Sequence, residues 1–163
     1  MHKMQLYVSS ITNLADARFF GAYGVSYFGF SFDVLDKNAV TIDKAKEIIS
    51  WLHETKIIGQ FGNHQTREEI QFVNRQLPLY AVHIASGHPE TNKIAQLKWI
   101  QTNDRIVIEN TSEVFISCEW NKKLLREIIS RHPYGIHIAC SPGISNIEYY
   151  AELMEIMEPY LLQ

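Results

Sequence analysis

The residues that could do chemistry in this chain stand near the ends of predicted strands. Residues 7–17 read Y-V-S-S-I-T-N-L-A-D-A, so a predicted strand ends in Ser9 and Ser10 and runs straight into a helix start. His83 and His137 lie near the ends of two later predicted strands. A serine hydroxyl stays protonated near neutral pH unless a base activates it. Because the sequence identifies no base partner for Ser9, a small polar filler is favoured there over a catalytic group.

The two histidines have an ordinary explanation and a functional one. A buried, hydrogen-bonded histidine in a core is the commoner case. Two imidazoles near one end of a sheet are also suited to ligand binding or acid–base catalysis, and the sequence favours neither alternative. We expect both to point inward beside Ser9. We also expect at least one of them to bind weakly acidic or polar ligands in a pH-dependent way near its unperturbed pKa of about 6.5. No third ligand stands at a suitable spacing, so no metal site is predicted, and no cofactor either.

The elements that would position these residues alternate between strand and helix in the first half of the chain. This alternation is typical of a parallel sheet built from βα units. The predicted helices start at Asn13, at Thr41, at about Thr66 and near Pro89, the last including Ile94 and Leu97. The predicted strands cover residues 5–9, 26–32, 57–61 and 80–85.

The second half has a different pattern. Residues 98–101, 105–109 and 114–118 are predicted strands separated by only a few residues. Parallel strands need a crossover of a dozen or more residues. We therefore expect antiparallel hairpins, with the strand around Val107 running against the others. A helix at 122–131, a strand at 136–140 and a closing helix from Asn146 complete eight strands, with two of the usual helices replaced by turns.

Composition limits the classes of function. The 163 residues form one predicted domain, 1–163, with an apolar fraction of 46% and a net charge of -3. This charge gives no basic patch for nucleic acid or a membrane surface, and no apolar run reaches the roughly 20 residues that span a bilayer. The N-terminus lacks the apolar region of a signal peptide, which predicts a cytoplasmic protein. Cys118 and Cys140 are expected to be buried, reduced thiols.

Four segments, in order along the chain, resemble one enzyme family. I-T-N-L-A-D-A at 11–17 is similar to the pattern I-T-N-x-x-D-A of the phosphoribosylanthranilate isomerases, and Y-F-G-F-S-F at 27–32 to their L-G-F-x-F. I-G-Q-F-G-N at 58–63 resembles their V-G-V-F-V-N, and G-I-H-I-A-C-S-P-G-I-S-N at 135–146 their last strand and loop. The resemblance implies a (β/α)8 barrel. Such a barrel usually takes about 250 residues, so we expect a shortened one, lacking helices around strands 5–7.

The family catalyses an Amadori isomerisation of N-(5'-phosphoribosyl)anthranilate in tryptophan biosynthesis, using a general base and a general acid. Carried over position by position, the family's cysteine base falls on Ser9 and the following glycine on Ser10. The acid falls nearest to Glu109, which a reversed strand would turn to the wrong end of the barrel. The arginine that contacts anthranilate falls on or near Asn38, and a glutamine and a histidine of strand 4 fall on His83 and Ala85. The phosphate-binding positions fall on Glu119, Trp120, Ala139, Cys140 and Ser141.

The resemblance therefore implies a diverged member whose catalytic, phosphate and anthranilate positions have changed. One hypothesis is an isomerase acting on a sugar-like substrate. The alternative is a non-catalytic barrel that binds or senses a small molecule. Both predict a small-molecule ligand, phosphorylated or not, and neither predicts nucleic acid or membrane as a partner. The sequence leaves the oligomeric state open.

Overall fold

Eight strands close into one barrel in the computed structural model, which describes residues 3–140 and 147–161. The strands follow one another around the barrel in chain order, and the first, β1, pairs in parallel with the last, β8. Their bounds are β1 Gln5–Ser9, β2 Tyr27–Ser31, β3 Lys56–Gln60, β4 Leu79–Ala85, β5 Lys98–Thr102, β6 Arg105–Ile108, β7 Val114–Ser117 and β8 Gly135–Ala139. The architecture is a shortened (β/α)8-type barrel, as expected.

Five α-helices lie within the described residues: α1 Leu14–Ala22, α2 Ile42–Ile49, α3 Arg67–Gln76, α4 Lys122–Ser130 and α5 Ile147–Leu161. The helix starts predicted at Asn13, Thr41 and Thr66 are each capped by that residue. The side chain of Asn13 accepts a hydrogen bond from the Asp16 amide at 2.8 Å, and Thr66 forms a reciprocal capping box with Glu69. Such caps satisfy amides that have no partner within the helix, so they define where these helices begin.

The prediction that the strand around Val107 runs against the others is confirmed. β6 pairs antiparallel with both β5 and β7, whereas the other neighbouring strands pair in parallel. The β5–β6 hairpin turns through Asn103 and Asp104, between the paired residues Thr102 and Arg105. Asn103 has a φ of 49°, a conformation that asparagine tolerates in tight hairpin turns.

The helix predicted from Pro89 is wrong. Only Thr91–Lys93 is helical there, as one short 3-10 turn. His88 holds the chain in a turn instead. Its Nδ1 accepts a hydrogen bond from the Glu90 amide, and its carbonyl oxygen accepts one from the Thr91 amide. A helix in this segment would also bury little, since Ile94 and Leu97 are its only large apolar residues. Three connections of the barrel, not two, therefore lack an α-helix.

The core has two parts. The barrel interior is filled by inward-facing residues that include Tyr7, Ile58, Trp99 and Phe115, so it is a packed core and not a pore. A larger cluster joins the outer faces of the strands to the helices. Gly29 keeps the interior open for one side chain, since a Cβ there would lie 2.5 Å from the Tyr7 hydroxyl.

Candidate functional site

A polar layer lies above the interior core, at the carboxyl ends of the parallel strands. Side chains alternate between the two faces of a strand, and the inward residues near the end of each strand are polar almost all the way round. The layer consists of Ser9, Ser31, Gln60, His83, Gln101, Ser117 and His137. Active sites of (β/α)8 barrels are built at this end, so this layer is the candidate site.

His137 links two serines across the barrel. Its Nε2 lies 2.7 Å from the Ser9 Oγ and its Nδ1 lies 2.8 Å from the Ser117 Oγ. Because a neutral imidazole carries one proton, one ring nitrogen donates to its serine and the other accepts. His137 is therefore the hydrogen-bond partner of Ser9 that the sequence did not reveal. The interpretation of Ser9 as a small polar filler is incomplete.

His83 forms a second chain of hydrogen bonds beside the first. Its Nε2 donates to the Gln101 Oε1 at 2.8 Å, and its Nδ1 accepts from the Tyr7 hydroxyl at 2.9 Å. The Tyr7 ring also stacks on His137, with 4.8 Å between ring centroids. The two imidazoles lie 5.9 Å apart. The expected approach of His83, His137 and Ser9 is thus observed, and Tyr7 joins the two chains.

Burial holds both imidazoles neutral. Desolvation lowers the pKa of His83 to about 4, although the hydrogen bond to Gln101 opposes the shift. Desolvation, and then repulsion from His83, lowers the pKa of His137 to about 3. Burial also raises the pKa of the Tyr7 hydroxyl well above its usual value. Neither imidazole therefore keeps the unperturbed pKa of about 6.5, since the barrel excludes the water that a charged imidazole needs.

This arrangement is poorly matched to acid–base catalysis at neutral pH. An effective general base or acid has a pKa near the working pH. The two histidines have pKa values of about 4 and about 3. Each is therefore a weak base, and at neutral pH neither carries the second proton that an imidazolium acid would give up. What the layer offers is a fixed set of hydrogen-bond donors and acceptors.

A cleft opens over one side of the polar layer. Its volume is about 170 Å³, below the roughly 300–1,000 Å³ of most small-molecule sites. It is lined by Ser31, Asp33, Asp36, Gln60, Phe61, His83, Ile84, Ala85 and Gln101. These described residues include two carboxylates and no lysine or arginine. The Nε2 of His64 lies 3.4 Å from the Asp33 Oδ1. The cleft therefore suits neutral or cationic groups better than anions.

Glu109 lies at the opposite end of the barrel from this layer. It follows the reversed strand β6 and forms an ion pair of 2.8 Å with Lys98, the first residue of β5. A general acid must reach the proton it transfers. Glu109 is therefore out of reach of the polar layer, for the reason that the short turns indicated.

The other predicted positions are scattered. The Ser10 amide donates to the Gln60 Oε1 at 2.9 Å, which ties β1 to the cleft wall. The Asn38 amide donates to the Asp36 Oδ1, but the Asn38 side chain does not line the cleft. Glu119 and Ala139 are exposed at the rim. Ser141 lies outside the described residues.

Cys140 is buried behind the rim. Its thiol donates to the Asp16 Oδ2 at 3.4 Å, and burial, followed by the Asp16 charge, raises its pKa to about 12. Burial likewise raises the pKa of Cys118 to about 11. Both thiols are free and buried, as expected, and both remain protonated at neutral pH.

Trp120 packs against the end of β8, at one of the positions where the resemblance implies phosphate binding. Its indole donates to the Ala139 carbonyl at 2.7 Å, and its ring packs on Phe20 and Tyr150. A glycine at this position would leave the backbone open to an anion. The indole instead fills the space that a glycine would leave, and it donates a hydrogen bond to the carbonyl oxygen at the end of β8.

Sequence reasoning missed the acidic pair Asp33 and Asp36 and the four residues that complete the polar layer, Ser31, Gln60, Gln101 and Ser117. Strict alternation along β2, β3, β5 and β7 would have found these four, since each shares the inward face of its strand with a buried apolar residue. Within the part of the chain that the structure describes, no group of three or more His, Cys, Asp or Glu is arranged to hold a metal ion. None of its helices is both long and apolar enough to cross a membrane.

Comparison with solved structures places this fold beside one enzyme. A phosphoribosyl anthranilate isomerase from Thermus thermophilus superposes with a TM-score of 0.73 at 15% identity, covering 96% of this chain and 99% of the other. A monomer form of the dimeric enzyme from Thermotoga maritima gives 0.73 at 22% identity, with 98% and 100% covered. A phosphoribosyl anthranilate isomerase in complex with reduced 1-(o-carboxyphenylamino)-1-deoxyribulose 5-phosphate gives 0.74 at 17% identity, with 97% and 98% covered.

These identities establish the fold and not the activity. No protein-family model matches this sequence, and a search of curated proteins also finds no match.

Proposed function

We propose that this chain is a diverged relative of the phosphoribosylanthranilate isomerases that has lost their chemistry and kept the barrel mouth as a small-molecule-binding site. One observation carries the proposal. The position of the family base holds Ser9, whose hydroxyl is hydrogen-bonded to a buried histidine with a pKa of about 3. A group of this kind can position a ligand, but it cannot take a carbon-bound proton efficiently at pH 7.

The surroundings of the layer support loss of the family substrate. The mouth lacks a cation in its described lining and carries Asp33 and Asp36, which would repel a phosphate dianion. Trp120 packs against the end of β8, at one of the positions where the resemblance implies phosphate binding. Gln60, Gln101 and Ser31 remain as polar groups facing the cleft. The ligand class we propose is therefore a small polar molecule without phosphate, such as a polyol or an amine.

A ligand panel tests the class of molecule. The protein is titrated, by thermal shift and then calorimetry, with ribose, ribulose, ribulose 5-phosphate, inorganic phosphate and anthranilate. We expect stabilisation by unphosphorylated sugars and none by phosphate. Asp33→Asn should raise the affinity for ribulose 5-phosphate relative to ribulose, because it removes one negative charge from the cleft. Asp43→Asn, an exposed carboxylate on α2, is the control and should change nothing.

A retained isomerase is the second candidate, and a specific observation favours it. The 2.7 Å contact with His137 gives Ser9 a base partner in the geometry that activates serine nucleophiles. The decisive experiment is rescue of a tryptophan auxotroph that lacks the isomerase. We expect no rescue at normal expression, since losing a general base typically removes about 10²–10⁴-fold in rate. Growth without tryptophan, or selective stabilisation by ribulose 5-phosphate, would favour the enzyme over the binding module.

A further inference from the structure

The outer face of β6 is less covered than that of the parallel strands. Outward-facing residues such as Phe30 on β2, Ile84 on β4 and Ile138 on β8 are buried to 1% exposure or less. Val107, in the equivalent position on β6, is 37% exposed. The cause is the pair of hairpins, because the chain contains no helix between β5 and β7 that could pack over them.

The register of the hairpins arranges this face in rows. Ile106 and Ile108 belong to the barrel interior, so Arg105, Val107 and Glu109 alternate with them and face outward. Val107 pairs laterally with Ile100 on β5 and with Val114 on β7. An apolar row therefore crosses the three strands at right angles to them. Along the chain, Arg105 lies on one side of this row and Glu109 on the other. We call Ile100, Arg105, Val107, Glu109 and Val114 the hairpin face.

We propose that the hairpin face is a docking surface for a second copy of this chain, with the two β6 strands packed face to face and antiparallel. In a two-fold dimer the same patch meets itself. An axis lying between the two sheets, across β6 at Val107, sets Arg105 of each chain opposite the Glu109 of the other copy. The same axis places Ile100 opposite Ile100 of the other copy. Val107 and Val114 also each lie opposite the same residue of the other copy.

Charge excludes the other simple arrangement. An axis running along β6 would place Arg105 against Arg105 and Glu109 against Glu109, which repel. Edge-to-edge pairing is excluded as well, because all eight strands of the described barrel have two neighbours and leave no open edge. Arg105 is exposed and has no ion pair among the described residues, so it is available for this contact. Glu109 already holds Lys98 at 2.8 Å and would bridge two cations in the dimer.

Sedimentation of the full chain tests the surface. We expect wild-type protein to associate to a dimer within the range of about 1 μM to 1 mM. Val107→Glu should raise the dissociation constant at least about tenfold, since it buries a charge in the apolar row. Leu124→Glu is the matched control, because Leu124 on α4 is 36% exposed, and it should associate like the wild type. A monomer over the whole range, or a dimer that Val107→Glu leaves unchanged, would overturn the proposal.

A charge swap tests the antiparallel arrangement and does not depend on Val107→Glu folding. Arg105→Glu places two carboxylates opposite each other and should weaken association about tenfold or more. Adding Glu109→Arg restores opposite charges between the copies and should recover most of the loss. Near-UV circular dichroism verifies that each variant is folded. If the double variant associates no better than Arg105→Glu alone, the two strands do not meet in this way.

Discussion

His83 and His137 are neutral in the folded barrel but take up protons when the chain unfolds. In the unfolded chain each has a pKa near 6.5, whereas burial lowers the folded values to about 4 and about 3. Between pH 6.5 and about 4 the unfolded state therefore binds more protons than the folded state. Their full contribution to stability is present above pH 6.5 and is lost as the pH falls.

We expect the free energy of unfolding to fall by about 1.4 kcal/mol per pH unit for each imidazole below pH 6. Urea unfolding at pH 7, 6 and 5 measures this slope in a range where most carboxylates stay ionised. His83→Gln should reduce the slope, whereas His53→Gln, an exposed histidine, should leave it unchanged. A stability independent of pH from 7 to 5 would show that the imidazoles are hydrated.

Alternation along strands was enough to place His83, His137 and Ser9 on the inner face, because the period of a strand is fixed. The hydrogen bond from Ser9 to His137 was not predictable, since 128 residues separate the partners. The pKa values were also beyond reach. They depend on the packing of Tyr7 and Trp99 beneath the imidazoles, and no local pattern encodes that packing.

At the scale of elements, connection length gave the direction of β6, and local composition gave the helix caps. In the segment after β4, Pro89 favours a helix because it is a good first-turn residue, but only a short 3-10 turn forms there. The His88 side chain, which contacts the Gly62 carbonyl at 3.1 Å, fixes a different path there. This contact joins the loop after β3 to the loop after β4. It therefore cannot be predicted from the helix propensity of residues 89–97 alone.

The β5–β6 hairpin depends on one residue in the left-handed region. Asn103 has a φ of 49°, and such a conformation costs about 1–3 kcal/mol for an unsuited residue. We expect Asn103→Gly to be close to neutral and Asn103→Val, whose branched side chain resists positive φ, to lower stability by about 1–2 kcal/mol. Urea unfolding compares the two. Equal stabilities would mean that the turn adopts another conformation.

At the scale of the molecule, the barrel is closed by residues from the two ends of the chain. β1 pairs with β8 over five residue pairs, and the Met4 amide donates to the Tyr160 carbonyl at 3.1 Å. Until β8 is in place, β1 and β7 each lack a neighbour, and the interior around Tyr7 and Phe115 is open to water. No smaller set of these strands can form the closed core.

We therefore expect residues 1–163 to unfold as one cooperative domain. Near-UV circular dichroism reports the buried Tyr7 and Trp99 in the interior, whereas far-UV circular dichroism reports the helices outside it. The two signals should give the same urea midpoint and slope if unfolding has two states. A chain ending at Ser130 lacks β8 and α5 and should show neither the near-UV signal nor a cooperative transition. Separate midpoints in the full chain, or a cooperatively folded truncated chain, would show that the barrel divides into units that fold apart.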